Sequence, residues 1–367
     1  MNARAEGAPQ TSGVIVVTAL LSTIGLVMVY SATAPFALGQ LIPPHFVRQA
    51  IGLAVGLVLA VIASRLSPEH WRRLALPMWA FSVAVLLLVP LLGDKVNGSR
   101  RWLTLPGVGF QFQPSEFARW ATLVVVATVL AGRDQVVRRP LAPALVAFAL
   151  AAVPAGLIFV EPDTGSAVVL LGLVAVLLFV AGTPLHVFVL PAGALTAALG
   201  VAIAMRPYVV DRILAFVDPW ARADDEGFQL VQSFIAFGRG GLLGVGLGDG
   251  RQKLYYLPEA HTDFVLSVLA EELGLVGVAF VIGAFAALLI AGCRIAVRTK
   301  DRFSFLMAAG MTALLTVPAA LNAAVVMGMV PPKGIAMPFL SYGRTSLLVS
   351  FLAVGTLVGV ARRNARS

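Results

Sequence analysis

Five ionisable side chains crowd one stretch of an otherwise apolar chain: Glu259, His261, Asp263, Glu271 and Glu272, all within Tyr255–Gly274. Charged groups at or inside a bilayer are costly, and they persist where they do chemistry or find partners. A carboxylate beside other carboxylates and low-dielectric lipid has a raised pKa and suits a general base. Asp263 is the sharpest candidate. It opens an apolar segment, and Arg251 and Lys253 precede it. Its position is equally that of a helix-terminal carboxylate, which the helix dipole favours without any chemistry. Glu271 and Glu272 lie about 12 Å deeper at the helical rise of ~1.5 Å per residue. They need partners inside a bundle, and a buried arginine such as Arg119 is the expected partner of one.

Four further clusters carry polar groups. Asn97–Trp102 brings Arg101 and Trp102, which suit an anionic head group or serve as interfacial anchors. Gln113–Arg119 places Glu116 and Arg119 one helical turn apart, as an i,i+3 pair. Glu161-Pro162-Asp163-Thr164-Gly165 sets two carboxylates in a tight break, where Asp163 can cap the following helix. Lys333-Gly334 and Pro338–Ser346, with Ser341, add cations and hydroxyls; a re-entrant loop ending in a Ser/Thr cap is the alternative reading. The glycines of 238–250 fit neither a dinucleotide fingerprint nor a Walker loop, and read as a loop lying close to neighbouring helices. Cys293 is the chain's one cysteine, so no internal disulfide or thiolate metal cluster forms. No zinc motif, Ser-His-Asp arrangement or nucleophilic cysteine is present. A Mg or Mn ion bridging phosphate and carboxylate is compatible with this set but unmarked by any motif.

Carboxylates and cations beside lipid suit a substrate with a pyrophosphate and a long lipid tail. Cations stabilise the charge on a pyrophosphate leaving group, while a carboxylate deprotonates the attacking hydroxyl. The candidate ligands for pyrophosphate or sugar are Arg101, Trp102, Glu116, Arg119, Arg251, Lys253, Glu259, His261, Lys333 and Ser341.

The elements that must position these groups are membrane helices. The 367 residues are 59% hydrophobic and 12% charged, against about 25% charged in soluble domains. The fold class is therefore an all-α polytopic membrane protein, and the short alternating segments of a barrel are absent. Ten apolar stretches of near-spanning length occur at 13–33, 47–63, 74–92, 112–131, 142–159, 166–182, 187–205, 264–292, 303–329 and 345–361. With both termini inside, basic density is more than twofold higher in the inner segments than in the outer ones, which supports cytoplasmic termini. Basic groups on the outer face would then meet an anionic substrate or lipid. The large outer loop is 206–263, between spans seven and eight, with a short interfacial helix expected at Val231–Phe237. Residues 1–367 read as one integral membrane domain, without an inverted repeat of the transporter kind. Arg4 and Ser31-Ala32-Thr33-Ala34 mimic a signal peptide, but the apolar run is longer than a usual signal core and reads as a retained span.

The polar clusters, in this order, resemble the SEDS family (shape, elongation, division and sporulation) over nearly the whole chain. Asn97–Trp102 with Gln113–Arg119, Pro162–Gly165, Gln232–Gly274 and Pro338–Ser346 carry the likeness, and Leu257–Phe264 within the third is highly specific. Arg251-Gln252-Lys253 and Lys333-Gly334 look more like the division (FtsW-like) branch than the elongation (RodA-like) branch. The resemblance implies a ten-helix bundle in the bacterial cytoplasmic membrane with its active site on the outer face. It implies a peptidoglycan glycosyltransferase that polymerises lipid II beside a class B penicillin-binding protein, with no nucleic-acid role. It also implies that Asp263 is the essential acid of an inverting transfer with undecaprenyl pyrophosphate as leaving group. Three positions depart from the family pattern. Arg119 stands where Lys is usual, exchanging a point charge for a planar fork. Arg344-Thr345 replaces Gly-Ser, and Glu161 stands where Gln is more frequent. Two rivals are a lipid flippase, which Glu271 and Glu272 keep open, and a non-catalytic division scaffold.

Overall fold

The computed structural model describes residues 3–37, 40, 42–96, 99–105, 110–132, 141–189, 191–193, 196, 200 and 207–364. Its helices are α1 (Ala3–Thr33), α2 (Pro44–Arg65), α3 (Pro68–Leu92), α4 (Pro114–Ala131), α5 (Leu141–Val160) and α6 (Thr164–Val180), followed by α7 (Pro207–Val217), α8 (Phe228–Gly240), α9 (Val265–Val297), α10 (Arg302–Val326) and α11 (Arg344–Asn364). Among the described residues eight of these are long and apolar enough to cross a membrane: α1 to α5 and α9 to α11. Helix α6 is a shorter apolar helix of 17 residues. The expected seventh span, 187–205, falls largely outside the described residues.

Local chemistry explains the helix starts. Proline opens α2, α3 and α4, where its missing N–H costs nothing and its φ is already helical. Ser67, Asp163 and Asp301 cap α3, α6 and α10 by accepting the N–H of His70, Ser166 and Ser304. The centre of the bundle is α4, α10 and α11, whose spanning windows are 78%, 72% and 78% buried, against 22% for α2 and α3. The site is thus built around the least lipid-exposed helices.

The segment between α3 and α4 carries β structure. It forms a three-stranded antiparallel sheet, β1 (Asp94–Val96), β2 (Ser99–Leu105) and β3 (Phe110–Phe112), with Leu103 opposite Phe112 and Trp102 opposite Asp94. These strands are too short to show a clear alternating pattern, so the all-α reading holds for the bundle but not for this piece. Asn97 and Gly98, the first two residues of the Arg101 motif, lie outside the described residues.

Helix α9 is broken at Gly274, where φ is +67°. A break strands backbone groups that lipid cannot satisfy. The glycine-rich loop supplies their partners. Val245 and Gly246 N–H donate to the carbonyls of Glu271 and Glu272, at 3.0 and 3.1 Å, while Leu275 and Val276 N–H donate to those of Gly241 and Leu242, at 2.9 and 3.1 Å. The approach needs bare backbone: a Cβ at Gly274 would lie 2.4 Å from Gly244 N, and one at Gly244 would lie 2.1 Å from Glu272 O.

Candidate active site

A cavity of ≈ 1200 Å³ lies where β2, the α5–α6 turn, the segment before α9 and the segment before α11 converge. Asp263 lines it from the turn that enters α9. The first position of α9 is capped by no side chain; Phe264 occupies the cap. The capping explanation for Asp263 therefore drops out. Among the described residues its carboxylate accepts no hydrogen bond. It lies against the backbone of Gly334, where an added Cβ would be 2.7 Å from Asp263 Oδ2. Burial pushes its pKa up to about 7, aided by the charges of Glu259 and Asp163 and opposed by Arg101. A free carboxyl that is partly ionised near neutrality is what a general base requires.

Cations rim the same cavity. Arg101 reaches from β2 to the α5–α6 turn and donates to the carbonyls of Glu161, at 3.2 Å, and Pro162. Trp102 lines the cavity beside it. Glu116 and Arg119, on the first turns of α4, form a buried ion pair that also lines the cavity. Arg119 Nε is buried without a partner among the described residues. Lys333 is half-buried, and its pKa is lowered by burial and by Arg212, with Asp163 opposing. Arg344 donates to Gln111 Oε1 at 3.2 Å and covers the Phe110 ring at 5.3 Å, so the cation that replaces the usual glycine faces this cavity.

His261 joins a ring cluster with His45 and Tyr342, at centroid distances of 5.3 and 5.6 Å, and its carbonyl accepts the Tyr342 N–H at 2.8 Å. Burial lowers its pKa, against the opposing charge of Glu259. Glu259 is exposed and accepts from the Thr262 hydroxyl at 2.8 Å. Glu161 is 3% exposed, and its Oε1 has no partner among the described residues. Burial and Asp163 raise its pKa to about 8, with Arg101 opposing. A carboxyl held neutral reproduces the shape of the glutamine usual at this position in the resemblance.

Three expected ligands lie elsewhere. Lys253 is buried and spends all three ammonium donors, on Glu272 Oε1 at 2.6 Å, Ser31 Oγ at 2.8 Å and Gly248 O at 2.7 Å. Arg251 faces a separate groove beside the end of α1, with Tyr30, Ser31, Leu247 and Leu254. Ser341 is buried, and its hydroxyl accepts the Met337 N–H at 2.8 Å. The cause is common to Lys253 and Arg251: the break in α9 draws the loop before them onto that helix and away from the cavity.

The same break corrects the partners of the deeper acids. Glu272 holds Lys253 and Ser31. Glu271 accepts the N–H groups of Arg251 and Gln252, at 3.0 and 2.9 Å, and faces Arg239 at 3.4 Å. Neither meets Arg119. Thr345 accepts the N–H of Gln113 at 3.0 Å, tying α11 to the start of α4.

Sequence reasoning missed His45, Arg212 and Asn322. Arg212 and His45 line the cavity from elements distant in the chain. Asn322, a lone amide in an apolar run, was visible only as a costly polar group. Its Nδ2 donates to the carbonyls of Asp263 and Ile335, each at 2.7 Å.

The architecture and the motifs have known counterparts. The model of the FtsW/RodA/SpoVE cell cycle protein family matches residues 11–366. A Trichlorobacter lovleyi protein named "Probable peptidoglycan glycosyltransferase FtsW" is 41% identical over 93% of this chain and 90% of its own. A Coxiella burnetii protein of the same name is 39% identical over 95% of each chain. Among solved structures, a chain of a peptidoglycan synthase complex that coordinates polymerization and crosslinking superposes with a TM-score of 0.80, at 30% identity, over 97% of this chain and 98% of that one. The rod shape determining protein RodA of Thermus thermophilus follows with a TM-score of 0.69, at 28% identity, over 96% of both chains. A family match over nearly every residue, with the fold to accompany it, settles membership: this chain belongs to the FtsW/RodA/SpoVE family, the SEDS proteins.

Proposed function

We propose that this protein is a peptidoglycan glycosyltransferase of the division type that polymerises lipid II, with Asp263 as its general base. The observation that carries the base assignment is the contrast among the cluster's acids. Glu271 and Glu272 are saturated by hydrogen bonds. Glu259 is exposed and takes a hydroxyl. Asp263 alone of the four combines a place in the cavity, no hydrogen bond to its carboxylate among the described residues, and a pKa raised to about 7.

In the reaction, the acceptor sugar's 4-hydroxyl attacks the anomeric carbon of the donor. Its proton passes to Asp263 as the new glycosidic bond forms. The bond from the anomeric carbon to the pyrophosphate oxygen breaks, and undecaprenyl pyrophosphate leaves with the electron pair. Attack opposite the leaving group inverts the anomeric centre. Arg101, Arg119 and Lys333 are the cations placed to meet the pyrophosphate and to stabilise the charge that develops on it. Glu116 holds Arg119 in place, and Trp102, Glu259 and His261 supply sugar-facing surface. Among the described residues no three His, Cys, Asp or Glu side chains converge as metal ligands.

A class B penicillin-binding protein is the proposed partner, and the outer face of the cytoplasmic membrane is the proposed location of the cavity. The synthase-complex likeness and the basic inner segments support these two assignments. The test is reconstitution of the purified protein and partner in vesicles with fluorescent lipid II. Glycan polymer from the wild type, and none from Asp263→Ala, is expected. Movement of lipid II between leaflets without polymer would establish the flippase instead, and neither activity would leave the scaffold.

A further inference from the structure

Asp263 and Lys333 belong to segments that no regular secondary structure joins. Asp263 lies in the turn before α9, and Lys333 in the irregular stretch between α10 and α11. Their backbone carbonyls have to be satisfied away from helix ladders, and a buried unsatisfied carbonyl is costly. One side chain does this for both segments. Asn322, near the end of α10 and 1% exposed, donates its two amide protons to Asp263 O and Ile335 O, each at 2.7 Å. Between those two anchors Gly334 presents bare backbone to the Asp263 carboxylate.

We infer that Asn322 is a positioning residue for the transfer: it clamps the base-bearing turn to the Lys333 segment, so that base and pyrophosphate-facing cation keep one mutual geometry. This rests on the reading of Asp263 as the base. An amide is the neutral side chain of this size with two protons on one atom, and both are used here. Aspartate would set acceptors against two carbonyls. Serine can serve one carbonyl at most, and alanine serves neither. The clamp stands on α10, in the buried centre of the bundle, which is where a positioning group has to be rooted to hold its geometry. The charged neighbours of Asp263 are Glu259, Asp163 and Arg101. Glu259 shares its turn, while Asp163 and Arg101 reach it from the α5–α6 turn and β2, so releasing the clamp changes its distance from those two.

The test is a series, Asn322→Ser, Asn322→Ala and Asn322→Asp, with Asp263→Asn beside it, in the reconstituted complex with lipid II. Misplacement by about 1 Å costs roughly 10²-fold in rate. The expected result is a graded fall in turnover, smallest for Ser and about 10²-fold for Ala and Asp. KM for lipid II and assembly with the partner stay close to wild type, while the melting temperature falls in Asn322→Ala and Asn322→Asp, which leave two buried carbonyls unsatisfied. The acid limb of the pH–rate profile moves to lower pH in Asn322→Ala, because a released carboxylate gains water. A wild-type rate and acid limb in Asn322→Ala, with Asp263→Asn inactive, would overturn the clamp while leaving the base in place. A rate loss that merely tracks the loss of folded protein would overturn it too. Full activity in Asp263→Asn would instead remove the base, and the positioning role with it.

Discussion

Two carboxyl groups in this site are pushed toward neutrality by burial, and each has a measurable consequence. Asp263, raised to about 7, must be ionised to accept a proton. The rate of polymerisation is therefore expected to fall as pH drops through about 7, and a pH–rate profile under saturating lipid II checks it. Glu161 is raised to about 8 from an ordinary 4.5. Between those values the folded state holds a proton that the unfolded state has released, so stability falls as pH rises through that window. The contribution is complete below about 4.5 and gone above about 8. Glu161→Gln removes the titration. Its melting temperature relative to wild type should climb from pH 5 to 8 and then level off; parallel curves would contradict the neutral carboxyl. Residue types alone leave Asp263 balanced between base and helix cap. The position of Phe264 at the cap decides between them, and no local pattern announces that. Asp163, by contrast, is legible as a cap from its turn, and it caps α6 as expected.

At the scale of elements, the break in α9 organises everything around it. The glycines of 238–250 are readable as a closely approaching loop, but their pairing with residues 271–276 is not, because it joins backbone groups about 30 positions apart and leaves no side-chain pattern. That pairing carries Lys253 to Glu272, both essentially buried. Lys253→Met leaves Glu272 charged and unpaired, and should cost about 3–5 kcal/mol in stability. The double variant Lys253→Met/Glu272→Leu should recover most of it, as measured by thermal unfolding in detergent; a double variant as unstable as the single one would show that the pair is not the unit. Gly334→Ala probes the site from the other side. Its Cβ would lie 2.7 Å from Asp263 Oδ2, so the carboxylate must shift and turnover should drop about 10²-fold with folding retained. The sheet between α3 and α4 escaped sequence reading for a simpler reason: three or seven residues show little periodicity, and its rank in the site comes from carrying Arg101.

For the whole molecule, apolar length and composition sufficed to mark it as a helical membrane protein, because the bilayer demands long runs whatever the sequence does elsewhere. Among the described residues, eight of the ten expected spans appear as long apolar helices, with α6 as a shorter ninth. What was not legible is which helices form the centre, since α4, α10 and α11 are no more apolar than α2 or α3 and are buried by packing rather than by composition. Orientation is a whole-molecule claim with its own test. In a Cys293→Ser background, Glu226→Cys beside the cavity should react with an impermeant maleimide added outside spheroplasts, and Lys300→Cys between α9 and α10 should react only after permeabilisation. The reverse pattern would place the cavity inside. The central claim, that this cavity makes glycan through Asp263, is tested most directly by the polymerisation rate of the reconstituted complex with wild type and Asp263→Asn. That exchange keeps shape and removes only the base. A loss of about 10²–10⁴-fold, with lipid II still bound, is predicted; polymerisation at the wild-type rate would contradict it.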